Sequence, residues 1–241
     1  MKQSKIAVMG IAAALIMGLS AYGQGDVEKK SEVVLVPEVK DYQLVYDLDL
    51  SKLSASFVYD VDNRSKITKP FDRVAYLLEL QVLGGQPQYV YVSMDAFTDD
   101  LGKIGIPTLA SGAKFQQRVN NINVYSNVQG IATGVGLNGG NIEFWPHNYI
   151  AMNGLSIPNA SNEVYDFGDQ WTDPADGYGC MQIHNFELKQ TIFAINNWKS
   201  GPRGDIGIGN SNINIKSTDW TFAENAQSFS KKRLRVFVHL K

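Results

Sequence analysis

The chain has 241 residues, a formal net charge of −2 and a single cysteine. The 22 Lys and Arg residues are nearly balanced by 24 Asp and Glu residues, and the two signs are well mixed, which excludes the basic surface of a nucleic-acid-binding protein. The basic cluster at residues 231–233 is interpreted as a solvated edge of the last strand. One cysteine excludes an internal disulfide, and we expect Cys180 to be a buried structural thiol.

Residues 1–23 have the pattern of a signal peptide. Lys2 and Lys5 give a positive start, and residues 6–19 are apolar and uncharged. Ala21 and Gly23 are small residues at the two positions that a signal peptidase recognises. The apolar stretch is shorter than the roughly 20 residues that span a bilayer. We therefore expect cleavage before Gln24, no membrane insertion of the mature chain, and a secreted or periplasmic location; an uncleaved anchor is the alternative.

Residues 24–40 are polar and charged with an apolar island, which predicts a tether or a first strand. Residues 41–241 then form the one predicted domain. Alternation of apolar and polar residues, as in residues 42–50, indicates half-buried strands. By this pattern we predict strands at residues 42–50, 56–61, 73–83, 89–94, 115–119, 122–126, 140–145, 182–186, 191–196 and 233–240.

Turn residues and the absence of helical periodicity complete the prediction of the fold. Residues 84–87, Gly-Gly-Gln-Pro, predict a hairpin, and residues 221–228 are the one stretch compatible with a short helix. Many short strands separated by Gly, Asn, Asp and Pro are typical of an all-β fold. We predict an antiparallel β-sandwich, jelly-roll-like, whose last strand lies close to residues 42–61.

Several Gly-rich segments combine aromatic rings with amides and carboxylates, at residues 140–149, 165–169, 176–185 and 205–210 with 219–222. A sugar offers an apolar face that stacks on Trp or Tyr, and hydroxyls that bond to Asp, Asn, Gln and His. The segments therefore predict a carbohydrate site formed by Trp145, Asn148, Asp166, Asp169, Trp171, Tyr178, Gln182, His184 and Asn185. The alternative is that the rings are core residues and the Asp and Asn residues form turns.

A catalytic interpretation stays open beside the binding one. Gln182 and His184 are two residues apart and share one face of a strand. The Gln-Ile-His strand is similar to one in jelly-roll alginate lyases, which implies proton transfer by His184 or Tyr178 with Gln182 beside them, and Arg73 or Arg203 neutralising a uronate. The basic strand motif of those lyases is not apparent. A structural histidine, bonded to Asp or Tyr, is the other interpretation of His184.

Other chemistries lack their motifs. The sequence has no Gly-x-Ser-x-Gly elbow, no Gly-Asp-Ser block, no phosphate-binding loop and no dinucleotide fingerprint, which favours a protein that is not an enzyme. Three isolated histidines and one cysteine lack zinc spacing. Oxygen ligands for a structural Ca²⁺ are clustered without EF-hand spacing at Asp166, Asp169, Asp173 and Asp176. No other cofactor is expected.

Six blocks of the sequence carry a family resemblance: residues 71–80, 140–146, 165–169, 177–179, 181–185 and 219–222. Together they resemble the non-catalytic β-sandwich region attached to sialate O-acetylesterase-like secreted bacterial proteins, over most of residues 42–240. The resemblance implies a role in extracellular polysaccharide breakdown, and it implies no esterase activity because the nucleophile block is missing. The sequence thus predicts a secreted carbohydrate-binding or polysaccharide-utilisation accessory protein that partners a polysaccharide or oligosaccharide. The alternatives are a small jelly-roll polysaccharide lyase or glycoside hydrolase, and a cell-envelope structural or adhesion protein.

Overall fold

The computed structural model describes residues 39–53, 57–106, 115–145, 177–188, 190–198, 205–208 and 225–241. In chain order the strands are β1 (Tyr42–Asp49), β2 (Val61–Asp62), β3 (Phe71–Val82), β4 (Pro87–Asp95), β5 (Phe115–Val119), β6 (Ile122–Ser126), β7 (Gly134–Leu137), β8 (Gly140–Trp145), β9 (Gly177–Asn185), β10 (Gln190–Trp198), β11 (Asp205–Ile208) and β12 (Phe229–Leu240). In the described ranges the helical pieces are short 3-10 turns, at Leu50–Lys52, Arg64–Lys66, Leu101–Lys103 and Asn225–Ser228. None of the helices there has the length and apolar character that crossing a membrane requires.

The strands form two antiparallel sheets. The larger sheet has seven strands in the order β2-β1-β12-β3-β4-β6-β7, and the smaller has five in the order β11-β10-β9-β8-β5. All pairings within the sheets are antiparallel. The predicted all-β, antiparallel sandwich is confirmed, while its jelly-roll connectivity stays a prediction.

One apolar core lies between the two sheets. Alternate residues of β3, such as Tyr76 and Leu78, meet residues of the smaller sheet, such as Ile183 and Phe193, in this core. The rings of Tyr76 and Phe193 meet edge to face with centroids 6.5 Å apart. Burial of these side chains supplies most of the driving force for folding, since each contributes roughly 1.5–3 kcal/mol.

The larger sheet is also buried on its other face. Ala75, Leu77, Tyr91 and Phe237 form a second, smaller cluster there with Val39. This burial explains why β3 reads as a continuous apolar run and not as a strict alternation, since both of its faces are covered.

The last strand lies at the centre of the larger sheet. β12 pairs with β1 on one side, from Tyr42 opposite His239 to Asp49 opposite Arg233, and with β3 on the other. The prediction that the tail approaches residues 42–61 is confirmed. The prediction of a solvated edge at residues 231–233 is wrong, because the strand is central and Lys232 is only 7% exposed.

The hairpin predicted at residues 84–87 is confirmed. β3 and β4 pair antiparallel from Arg73 opposite Asp95 to Gln81 opposite Pro87. Gly84 has a φ of +74°, a left-handed conformation that glycine adopts without the penalty of a Cβ atom. The turn residue therefore helps to set the register of β3 with β4.

Some predicted elements differ from the structure. Of the strand expected at residues 56–61, the described residues form only Val61–Asp62. The ring of Tyr59, just before this strand, stacks on Tyr46 with centroids 4.2 Å apart. Strand β7 was not predicted, since Gly-Val-Gly-Leu has weak strand propensity. Of the helix compatible with residues 221–228, the structure describes a 3-10 turn at Asn225–Ser228, and the rest lies outside the described residues.

Two buried tyrosines and one partly buried tyrosine tie residues 101–106 to the core. Tyr46 donates its hydroxyl hydrogen to the Leu101 carbonyl and Tyr76 donates to the Ile104 carbonyl, each at 2.8 Å. The hydroxyl oxygen of Tyr59 accepts from the backbone N–H of Ile106, also at 2.8 Å. Residues 101–106 belong to no strand, so these tyrosine hydroxyls supply hydrogen-bond partners for their backbone groups. Buried backbone groups require such partners.

Burial of these tyrosines predicts a loss of stability in alkali. Burial raises the pKa of Tyr46 to about 12, although Arg64 partly offsets this, and it also raises the pKa values of Tyr59 and Tyr76. An unfolded tyrosine ionises near pH 10, so above that pH the unfolded chain has lost protons that the native chain keeps. We therefore expect the free energy of unfolding to fall as the pH rises from about 10 through about 12.

Urea denaturation measured from about pH 9 to about pH 11.5 checks this expectation. Tyr46→Phe keeps the ring and removes one ionisable hydroxyl, so the decline should be shallower in this variant, whatever its stability at neutral pH. If the free energy of unfolding fell with the same slope in both proteins, the assignment of part of this fall to Tyr46 would be contradicted.

Candidate ligand-binding groove

The structure describes five of the nine predicted sugar-contacting residues, two of them by their backbone alone. Asn148, Asp166, Asp169 and Trp171 lie outside the described residues, as do the remaining calcium candidates Asp173 and Asp176 and the uronate candidate Arg203. For Trp145 and Tyr178 the structure describes the backbone, in β8 and β9, where Trp145 lies opposite Cys180. The predicted roles of all these residues in sugar, calcium or uronate binding therefore stay predictions.

Gln182 and His184 lie on the face of the smaller sheet that is turned away from the core. Their neighbours in sequence Met181 and Ile183 belong to the main core, and strand alternation turns the even-numbered residues to the opposite face. The prediction that they share one face of a strand is therefore confirmed. Asn141 and Thr191 are the backbone partners of His184 on the two neighbouring strands, so the four residues form one polar patch.

This polar patch is closed to solvent. Gln182, His184 and Asn185 are 0% exposed. Thr191 Oγ1 lies 3.0 Å from His184 Nδ1, within hydrogen-bonding distance, and Asn185 Oδ1 accepts from the Leu188 N–H at 2.7 Å within a turn. A group that contacts a sugar must be reachable, so the predicted ligand contacts of these three residues have no support from this arrangement. The structural interpretation of His184 fits, with Thr191 as one partner of its ring.

An open groove lies instead at one end of the larger sheet. Its volume is about 390 Å³, and it is lined by Phe71, Asp72, Asp95, Ala96, Phe97, Thr98, Asp99 and Lys241. Three pieces of chain form it, namely the start of β3, the turn after β4 and the residue after β12. The volume falls in the lower part of the range of about 300–1,000 Å³ that is usual for small-molecule sites.

Local hydrogen bonds hold the three pieces together. The Ala96 N–H donates to the Asp72 carbonyl at 2.8 Å, and the Lys241 N–H donates to the Pro70 carbonyl at 3.0 Å. Beyond the strand, the Asp100 N–H donates to Thr98 Oγ1 at 3.1 Å, a turn that Ser and Thr commonly form. The groove is thus built on sheet ends and not on a long loop.

The groove combines carboxylates with aromatic rings. Asp72 and Asp95 have side chains that are 43% and 54% exposed, and each is paired on its inner side, with His239 at 2.8 Å and with Arg73 at 3.0 Å. Asp99 is exposed. Phe71 and Phe97 pack partly against the main core and are half-buried, so each ring also contributes to the groove wall.

This arrangement offers hydrogen-bond acceptors next to apolar surface. Ionised carboxylates accept hydrogen bonds from hydroxyl groups, and aromatic rings cover the C–H face of a sugar. In the described part of the chain no group of three or more His, Cys, Asp or Glu residues is placed to hold a metal ion. The groove thus places carboxylate acceptors beside aromatic surface.

Sequence reasoning missed the groove residues, although a signal was present. Residues 95–100 read Asp-Ala-Phe-Thr-Asp-Asp, an aromatic ring between carboxylates directly after a strand. The same mixture led to the predictions at residues 165–169, but here it lacks glycine and resembles an ordinary turn. Arg73, predicted to neutralise a uronate, lies behind the groove with its guanidinium bonded to Tyr42, Ser93, Asp95 and Asn121.

No family model, curated protein or solved structure matches the chain, so its resemblance to the region attached to sialate O-acetylesterase-like proteins stays a prediction.

Proposed function

We propose that the chain is an exported carbohydrate-binding protein that holds a hydroxyl-rich glycan in the groove at the end of the larger sheet. The observation that carries this proposal is the groove itself, where three carboxylates and two half-buried phenylalanines line one open hollow. The N-terminal signal pattern supports export, and the all-β sandwich supplies a rigid scaffold on which sheet ends can present such groups. Its role would be to bind an extracellular polysaccharide that other proteins break down.

Catalysis has less support than binding. His184, the predicted proton-transfer residue, is fully buried, and the guanidinium of Arg73 is occupied by hydrogen bonds within the protein. A lyase needs a base within reach of its substrate and a cation to neutralise the uronate. His184 is closed to solvent and Arg73 is bonded within the protein, while the side chains of the other two candidates, Tyr178 and Arg203, lie outside the described residues. Binding without turnover is therefore the proposal.

A glycan array with the purified mature chain tests the proposal. We expect binding to one class of oligosaccharide and no new unsaturated ends, by ultraviolet absorbance, when the protein is incubated with uronate polymers. Absence of binding to every glycan on the array would overturn the proposal. Formation of unsaturated ends would replace it with the lyase alternative.

Substitutions within the groove should weaken that binding without unfolding the protein. Phe97→Ala removes apolar wall, and Asp99→Asn removes an exposed ionised acceptor, so we expect the Kd for the glycan to rise about tenfold or more in each. Asp62→Asn is the matched control, because Asp62 is an exposed carboxylate paired with Arg64 outside the groove. Isothermal titration calorimetry measures all three. Equal affinities for the control and the groove variants would place the glycan elsewhere.

A further inference from the structure

Arg73 makes an unusually complete set of hydrogen bonds behind the groove. Its Nε donates to the Tyr42 hydroxyl oxygen at 3.0 Å, and its Nη1 donates to Asp95 Oδ1 at 3.0 Å. Its Nη2 donates to Ser93 Oγ at 3.1 Å and to the Asn121 carbonyl at 2.8 Å. The planar guanidinium offers its donors in a fixed geometry, so four partners from β1, β4 and the turn before β6 are held in register.

Asn121 adds a second donor to the same carboxylate oxygen. Its Nδ2 donates to Asp95 Oδ1 at 3.0 Å, and its φ of +52° makes it the non-glycine residue with a left-handed backbone in the described part of the chain. Asn tolerates this conformation better than most residues, but it is uncommon. Unfavourable backbone geometry that persists is often associated with a functional site, and here it places the amide against a groove residue.

The two donors fix one oxygen of Asp95 and leave the other to the groove. Oδ1 accepts from Arg73 and Asn121, whereas Oδ2 accepts from none of the described residues, and the side chain remains 54% exposed. A carboxylate oxygen held by a charged donor and an amide donor keeps its orientation. Asp95 is therefore a pre-oriented acceptor and not a mobile surface charge.

The charges around that acceptor bear on the class of ligand. The groove wall carries the carboxylates Asp72, Asp95 and Asp99 and one lysine, Lys241, and the positive charge of Arg73 is already committed to Asp95. An acidic sugar would bring a further negative charge close to this set, and like charges repel at short range. A neutral sugar brings hydroxyl donors, which ionised carboxylates bind.

Building on the proposed function, we infer that Arg73 and Asn121 are positioning residues that orient Asp95, and that the groove thereby selects neutral glycans over uronate-containing ones. Asp95 Oδ2 accepts a hydrogen bond from a sugar hydroxyl. Arg73 and Asn121 touch no ligand and act only through Asp95.

Asn121→Gly separates positioning from stability. Glycine adopts a φ of +52° without strain, so the melting temperature should be unchanged or raised while the amide donor to Asp95 is lost. We expect a three- to tenfold rise in Kd, measured by calorimetry, for whichever neutral oligosaccharide binds the unmodified chain. If Asn121 had only a structural role, Asn121→Gly would lower the melting temperature and the affinity together. Arg73→Lys keeps the positive charge but not the fork of donors, and should weaken binding at least as much.

The selectivity is tested with the same proteins. Neutral gluco-, manno- and galacto-oligosaccharides are compared with the uronate oligosaccharides of alginate and pectin at low and high salt. We expect neutral binding that salt hardly changes, and Asp95→Asn should narrow the gap between the two classes. If no oligosaccharide of either class binds, the proposed function falls and the inference with it. If a neutral sugar binds but Asn121→Gly leaves the Kd unchanged, or if uronates bind more tightly, the inference alone is overturned.

Discussion

Replacing Arg235 with methionine is expected to destabilise the protein by about 3–5 kcal/mol, because the change leaves two buried carboxylates without their shared cation. Arg235 is 2% exposed, Asp47 is 3% exposed and Glu79 is 1% exposed. Arg235 Nε donates to Asp47 Oδ2 at 3.1 Å, and Arg235 Nη1 donates to Glu79 Oε2. Three central strands are therefore linked by charge on the face of the larger sheet that is turned away from the main core.

The expected cost follows from desolvation and not from the strength of the ion pairs. A buried pair gains Coulomb energy but loses the hydration of both ions, so an intact pair adds little net stability. Removing only the cation leaves that loss of hydration uncompensated. The outer partners, Lys231 on Glu79 at 3.3 Å and Arg233 on Asp47 at 2.5 Å, are partly exposed and replace only part of what Arg235 provides.

Urea denaturation of matched variants measures the effect. Arg64→Met is the control, since Arg64 and Asp62 form a pair in which the side chains are 52% and 36% exposed, and such surface pairs contribute about 1 kcal/mol or less. In a background with Asp47→Asn and Glu79→Gln, Arg235→Met should cost clearly less because no charge is left unpaired. If Arg235→Met and Arg64→Met lowered the free energy of unfolding equally, water would have to reach Asp47 and Glu79 in the variant.

The two-sheet architecture could be predicted because its signals are local. Alternation identified most strands, Gly84 and Pro87 identified the hairpin, and the regular tail identified the strand that pairs with β1. What alternation does not reveal is whether the polar face of a strand meets water. Asp47 and Arg235 occupy the polar positions of alternating strands and therefore look solvated in the sequence, yet the sheet buries both.

The groove could not be predicted because its parts are distant in the chain. Phe71, Asp95 and Lys241 meet only through the register of β3 with β4 and with β12. The register depends on which residue of one strand lies opposite which residue of the next, and no local sequence pattern shows this. The spacing of Gln182 and His184 predicts their shared face correctly, but no sequence pattern shows that this face is closed to solvent.

The polar patch of the smaller sheet and the groove of the larger sheet differ in whether a ligand can reach them without a change in the structure. Both combine polar groups of the kind that sugars need, but only the groove is open. Whether the patch at Gln182 and His184 can open depends on how rigidly β9 is held against its neighbour β8. Gly140, the first residue of β8, tests that rigidity.

Gly140→Ala is expected to destabilise the protein by about 3 kcal/mol or more, at the upper end of the cost of overpacking a core. A Cβ atom at this position would lie 2.5 Å from the His184 carbonyl oxygen and 3.3 Å from Val119 Cγ2, and it would overlap Ile122 Cδ1. The isoleucine can adopt another rotamer, but the carbonyl belongs to the backbone of β9. Relief therefore requires the two strands to move apart.

Gly84→Ala is the control for backbone strain without crowding. Gly84 has a φ of +74° and open space around the missing Cβ, so alanine there should cost only about 1–2 kcal/mol. Urea midpoints of the two variants at constant slope give the comparison. A Gly140→Ala protein as stable as Gly84→Ala would contradict a rigid contact between β8 and β9. It would also show that the backbone of His184 can shift at low cost, and the patch at Gln182 and His184 would then become a candidate ligand site once more.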